Sequence, residues 1–170
     1  LLTTITGHGR LEITEAVYQQ MKSLEFFPNY IDAFTIPAIK LAKKLAEIMP
    51  GDLSKTFYVN DGSEACETAI KMAKQYFWNK GFKNKSMIIS KRYSYHGATY
   101  GGISAAGLPW FRQPFEPFIP GFIHVMHAWC YRCELDLDVN TCRLACLKNM
   151  EKIIVWEDPD SIAAVILDPL

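Results

Sequence analysis

Short apolar runs alternate with longer helix-periodic stretches from about Thr35 onward, and that alternation leaves few folds open to this chain. TFYVN (56–60), SMIIS (86–90), FIHVM (122–126) and IAAVILD (162–168) are brief, rich in β-branched and aromatic residues, and read as strands. Helical spacing fills the stretches around them. Thr35 suits an N-cap and Pro37 a first turn; Leu41, Ala42, Leu45 and Ile48 follow at helical intervals, and Pro50-Gly51 stops the helix. After the first run, DGSEACETAIKMAKQYFWNKG predicts a helix with Ala65, Ala69, Met72, Ala73, Tyr76 and Phe77 on its inner face and Gly81 at its end. Further helices are expected near Ile13 to Leu24 and from Thr141 to Val155. Short apolar strands separated by helices predict an α/β fold, a mostly parallel sheet flanked by helices.

The chain's 170 residues suit one domain better than two, and 49% apolar residues suffice for a sizeable core. Its 18 basic and 18 acidic side chains cancel. That balance speaks against a nucleic-acid binder or a polybasic membrane-surface protein. No apolar run reaches the about 18 residues of a membrane-crossing helix, and LLTTITGHGR lacks the order of a signal peptide. Five cysteines, an odd number, do not suit a secreted disulfide framework. A cytoplasmic protein with reduced thiols is expected. The chain starts on Leu1 rather than Met and stops at Leu170 directly after an apolar run, so a piece of a longer protein is expected too.

In parallel sheets ligands gather beyond the carboxyl ends of strands, which directs attention to the segments after Asn60, Ser90 and Leu167. VNDGSEA (59–65) joins an expected strand to an expected helix. Unpaired N–H groups and the helix dipole at that point suit a phosphate. Gly62 permits close backbone approach and the Ser63 hydroxyl adds a hydrogen bond. Asp61-Gly62-Ser63 also reads as an ordinary turn and helix cap. Neither GxGxxG nor GxxxxGK[ST] is present. In SMIISKRYSYHGATYGG (86–102), Tyr95 could stack on a flat cofactor ring or pack on a helix, and His96 could meet a substrate or hold the loop.

GSEACETAIKMA (62–73), then SYHGATYGGISAAG (94–107), then ILDPL (166–170) occur in an order that resembles the class III aminotransferases, pyridoxal-phosphate enzymes of fold type I. TIPAIKLAKKLAEIMPGDL (35–53) looks like the helix leading into the first strand of their large domain. The resemblance implies pyridoxal 5'-phosphate as cofactor, with Gly62 and Ser63 at its phosphate, Tyr95 stacked on its ring, and His96 and Gly97 beside it. Asp168 falls where the family most often has Glu, near the cofactor and the substrate entrance, with a shorter reach. Residues 1–34 would lead into the large domain and 35–170 would form its first half. The implied reaction moves an amino group from an amine or ω-amino acid to a keto acid such as pyruvate, in a homodimer.

Members that take γ-aminobutyrate or ornithine often carry His-Gly-Arg-Thr where this chain has His96-Gly97-Ala98-Thr99. Ala98 cannot bind a carboxylate, so the resemblance is to the subgroup that uses pyruvate with diverse amines. The lysine that links to the cofactor and the acid facing its pyridine nitrogen would lie beyond residue 170. Lys71 and Lys74 read as a solvated helix face. No catalytic residue is therefore assigned within the chain, and the 170 residues alone are expected to be inactive.

Cys130 and Cys133 form a CxxC, and Cys142 and Cys146 follow at a spacing expected to place them on one helix face. With His127 before them, they suggest zinc, yet the eight-residue gap between the pairs is not a zinc-finger spacing. Packed thiols, a metal site and disulfides all remain open at this point. Cys66 reads as a small core residue. Two further readings are a non-catalytic metal-binding or interaction module built on the cysteines and a nucleotide-binding domain, for which no loop is present.

Overall fold

The structure, a computed structural model, describes residues 3–29 and 32–169. They fall into two compact units, Leu1–Phe57 and Tyr58–Leu170. Leu170, the last residue of the ILDPL motif, lies outside the described residues.

The first unit holds α1 (Leu11–Ser23) and α2 (Ile36–Ile48). Thr35 caps α2 as expected, its hydroxyl accepting from the Ala38 N–H at 3.4 Å, and Pro37 sits in the first turn, where no N–H is needed. Neither helix contains a buried residue.

The second unit is an α/β layer. Its elements run α3 (Gly62–Asn79), β1 (Met87–Lys91), α4 (Tyr100–Ala105), α5 (Pro109–Arg112), β2 (Phe122–Val125), α6 (Ala145–Trp156) and β3 (Ile162–Val165). Both β2 and β3 pair with β1 in parallel, giving the order β2-β1-β3. Ile88 lies opposite Phe122 on one side and Ala164 on the other, and the register slips by one residue between Met87 and Ile88. All three carboxyl ends therefore share one rim. The expected parallel sheet flanked by helices is what forms.

Ile70 of α3, Ile88 of β1 and Ala105 of α4 make the buried cluster, with Phe122, Ala163, Ala164 and Ile166 packed against it. Ser90, fully buried on β1, is satisfied by donating to the Ala105 carbonyl at 2.6 Å.

Three expectations need correction. TFYVN forms no strand: the division between the two units falls within it, and no described strand lies beside it. Phe57 is 67% exposed. A strand needs a ladder partner as well as β propensity. The inner face of α3 is also rotated from the expected one. Ile70 is buried and Cys66, Glu67, Ala73 and Phe77 are half-buried, whereas Ala65, Ala69, Met72 and Tyr76 are exposed. The helix is apolar on more than one side, so periodicity alone did not select the buried stripe. Finally, α6 begins at Ala145, because Arg143 and Leu144 both adopt left-handed backbone (φ 50° and 55°), and Cys142 stands outside the helix. Among the described residues no helix is long and apolar enough to cross a membrane.

A candidate cofactor site at the carboxyl rim

The first turn of α3 is built by Asp61 and Glu64. Asp61 is the N-cap, its Oδ1 accepting from the Glu64 N–H at 2.9 Å, while Glu64 Oε2 reaches back to the Asn60 backbone N–H (2.9 Å) and side-chain amide (2.8 Å). This reciprocal arrangement is a capping box displaced by one residue. It leaves Gly62 and Ser63 as the first two helical residues. A Cβ at Gly62 would meet no protein atom within 4 Å, so the close approach that glycine permits there is open to a ligand.

The loop after β1 closes onto this turn. Ser63 Oγ accepts from the Ala98 N–H at 3.1 Å, which leaves the hydroxyl proton free to donate. Gly97 has a φ of +120°, and a Cβ there would stand 2.9 Å from Ser63 Cα. Backbone conformation and packing both demand glycine at this position. One helical turn further along α3, the Glu67 carboxylate accepts from the Gly101 and Gly102 N–H groups at 2.7 and 3.3 Å and so ties α3 to the start of α4.

The same loop meets the end of β3. The Tyr95 N–H donates to Asp168 Oδ2 at 3.0 Å. The Tyr95 ring stands edge-on to Phe111 of α5, centroids 5.6 Å apart, and the residue is 51% exposed. His96 is 5% exposed, and its Nε2 is buried with no hydrogen-bond partner among the described residues. Burial pushes its pKa down; Asp168 opposes that, and Lys91 and His124 add to it. Its imidazole is therefore neutral near pH 7. The His124 ring of β2 lies with its Nε2 3.0 Å from the Ala106 carbonyl oxygen and 2.9 Å from the Arg112 guanidinium, which stands 3.3 Å from its Nδ1. Burial first and Arg112 second push the His124 pKa down.

The five residues singled out in the sequence, Gly62, Ser63, Tyr95, His96 and Asp168, are thus gathered through two hydrogen bonds, Ser63 to Ala98 and Tyr95 to Asp168. Glu67 and Phe111 were not foreseen. Glu67 stands four residues after Ser63, hence on the same helix face, and that relation was the available signal. Phe111 gave none. The arrangement fits a phosphate-bearing aromatic cofactor on three observations: open helix-start N–H groups with a free hydroxyl proton, an exposed aromatic face, and an unpartnered buried imidazole nitrogen.

The cysteines behave differently. All five are free thiols. Among the described residues no group of three or more His, Cys, Asp or Glu is gathered as a metal site, which gives the metal-module reading no support.

A model of the aminotransferase class-III family matches residues 2–170. A probable aminotransferase of Mycobacterium tuberculosis is 41% identical over 170 residues, all of this chain and 36% of that protein. A taurine–pyruvate aminotransferase of Bilophila wadsworthia is 35% identical over 99% of this chain and 36% of its own length. The crystal structure of an omega transaminase from Pseudomonas jessenii in complex with PMP superposes with a TM-score of 0.94 at 33% identity, covering 100% of this chain and 38% of that one. The chain therefore spans little more than a third of the proteins it matches. With the family match running almost end to end and the three motifs meeting at one rim, the chain belongs to the class III aminotransferases.

Proposed function

We propose that this chain supplies the phosphate-and-ring half of the active site of a pyridoxal-5'-phosphate-dependent aminotransferase, which moves an amino group from an amine or ω-amino acid to a keto acid such as pyruvate. The observation that carries the reading is the convergence of Ser63, Tyr95 and Asp168 through the Ala98 and Tyr95 N–H groups. When bound, the cofactor supplies a carbonyl that takes up the amino group and a ring that withdraws electrons from the reacting carbon. The chain's own residues hold it. Gly62 and Ser63 offer backbone N–H groups and a hydroxyl to the phosphate, and the α3 dipole favours its charge. Tyr95 covers one face of the ring. The neutral His96 imidazole offers its free Nε2 as a second-row hydrogen-bonding group. Asp168, engaged on the Tyr95 N–H, works here by fixing the height of that aromatic rather than by reaching the substrate.

Residues 1–34 lead into the large domain and 35–170 form its first half. The lysine that links to the cofactor and the acid at its pyridine nitrogen lie beyond residue 170, so the 170 residues alone are inactive. The complete enzyme is a cytoplasmic homodimer. Pyruvate as acceptor rests on Ala98, which offers no cation to a second substrate carboxylate, and on the B. wadsworthia relative named for pyruvate. The test uses the full-length protein, the cofactor and a panel of amines with pyruvate, following alanine formation and the cofactor's visible absorption. Alanine formation with several amines supports the reading. Bound cofactor without alanine from any amine removes pyruvate, and no cofactor binding removes the whole assignment.

A further inference from the structure

Four of the five cysteines face a single cavity. Cys130, Cys133, Cys142 and Cys146 line a space of about 30 Å³, together with His127, Glu134 and apolar residues that include Met126, Trp129 and Leu135. A space of this kind holds one water from about 10–15 Å³ upward, so there is room for a molecule of hydrogen peroxide. Cys130 is exposed and the other three are half-buried, so the sulfurs are not sealed in a core. The pairs differ in local geometry. Cys130 opens the 3₁₀ turn Cys130–Arg132, and Cys133 is its C-terminal cap. Residues three apart on such a turn are eclipsed with a rise of about 2 Å each, so the Cα atoms stand about 6 Å apart. That lies inside the roughly 4.4–6.8 Å window of a disulfide. Cys142 and Cys146 are separated by the left-handed Arg143 and Leu144 and have no such regular spacing.

We infer that Cys130 and Cys133 form a reversible dithiol site oxidised by hydrogen peroxide. In the first step one thiolate sulfur attacks a peroxide oxygen; an S–O bond forms, the O–O bond breaks, and the departing hydroxide leaves as water. In the second step the other sulfur attacks the sulfenic sulfur; the S–S bond forms and hydroxide leaves as the second water. Two thiols lose two electrons and one peroxide becomes two waters. His127 lines the same cavity, and burial holds its ring toward the neutral form; the thiol proton leaves to solvent at the exposed Cys130, and the departing hydroxides take protons back from water. Cys66 is a control built into the chain. It stands apart on α3, and burial and the neighbouring Glu67 push its thiol pKa up, away from the reactive thiolate.

The experiment treats the reduced full-length protein with one equivalent of hydrogen peroxide, alkylates the remaining thiols and maps the peptides by mass spectrometry. Of this chain's five thiols two should disappear, both at Cys130 and Cys133, as an internal disulfide about 2 Da lighter that a dithiol reductant restores. Cys66 should stay reduced. In Cys130→Ser and in Cys133→Ser the disulfide should be lost, and in one of the two a sulfenic acid should be trapped at the remaining thiol, which identifies the attacking sulfur. The inference is overturned by oxidation of Cys66 at the same rate, by a first disulfide that joins any other pair, or by all four thiols surviving excess peroxide.

Discussion

Ser63→Ala is the most informative single change, because the hydroxyl has two separable duties. Toward the protein it accepts the Ala98 N–H at 3.1 Å. That N–H is solvent-accessible, so water replaces the lost acceptor and the fold should lose only about 0.5–1 kcal/mol. In the proposed cofactor site the hydroxyl would donate to a phosphate, a charge-assisted bond worth roughly 1.5–3 kcal/mol. At about 1.4 kcal/mol per decade, affinity for pyridoxal 5'-phosphate should fall roughly 10- to 150-fold. Binding should not vanish, because the backbone N–H groups at the start of α3 remain. Spectroscopic titration of the full-length apoenzyme, run in parallel with pyridoxal lacking its phosphate, separates the two duties. Only the phosphorylated ligand should weaken. Unchanged affinity for it, or an equal loss for both ligands, would refute Ser63 as a phosphate donor.

Tyr95→Leu removes a half-exposed ring whose described aromatic neighbour is Phe111, so unfolding should shift by no more than about 1 kcal/mol while the cofactor band moves and turnover drops; an unaltered spectrum would count against stacking. Gly97→Ala places a Cβ 2.9 Å from Ser63 Cα at a φ of +120°, and urea unfolding should report a loss of about 2–4 kcal/mol. A loss below about 0.5 kcal/mol would mean that the loop relaxes freely. His96 and His124 both have folded-state pKa values pushed below the ordinary 6.5, so the unfolded chain binds more protons as pH falls. Their contribution is fully present above pH 6.5 and is lost progressively on acidification below it. Unfolding free energies measured at intervals from pH 8 to pH 5 should decline, and less steeply in His96→Gln; a rise would contradict the burial argument.

Most elements announce themselves through local chemistry. Thr35 and Asp61 each cap a helix with their own side chain, a decision made within three residues. The runs at 86–90, 122–126 and 162–168 become β1, β2 and β3 because each finds a parallel neighbour, β2 and β3 on either side of β1. TFYVN has the same composition and no such neighbour among the described residues, so the difference lies in pairing, which propensity does not encode. The inner face of α3 failed for a related reason. Ala65, Ala69 and Tyr76 are as apolar as the residues that are buried, and only the position of Ile88 and Ala105 decides for Ile70.

The site divides along the same line. Gly62-Ser63 and Tyr95-His96-Gly97 are readable as motifs because each is contiguous, and the rule that parallel strands present their carboxyl ends together says that they meet. What the rule does not say is how they are held. Ser63 and Glu67 lie one turn apart on the same face of α3, and they receive N–H groups from Ala98 and from Gly101 and Gly102, which are themselves about one turn apart. The two segments therefore mesh at two successive points, and the glycines are what let the backbones come close enough. A Cβ at Gly101 would land on the Glu67 carboxylate, and one at Gly102 would come within 2.8 Å of the His96 carbonyl oxygen. Glu67 looks like a solvated charge in any single-helix reading, yet its carboxylate occupies the start of α4 and fixes the loop that carries Tyr95 and His96. The geometry of the candidate cofactor cup is thus set from behind, by an acidic side chain whose partners are the Gly101 and Gly102 N–H groups.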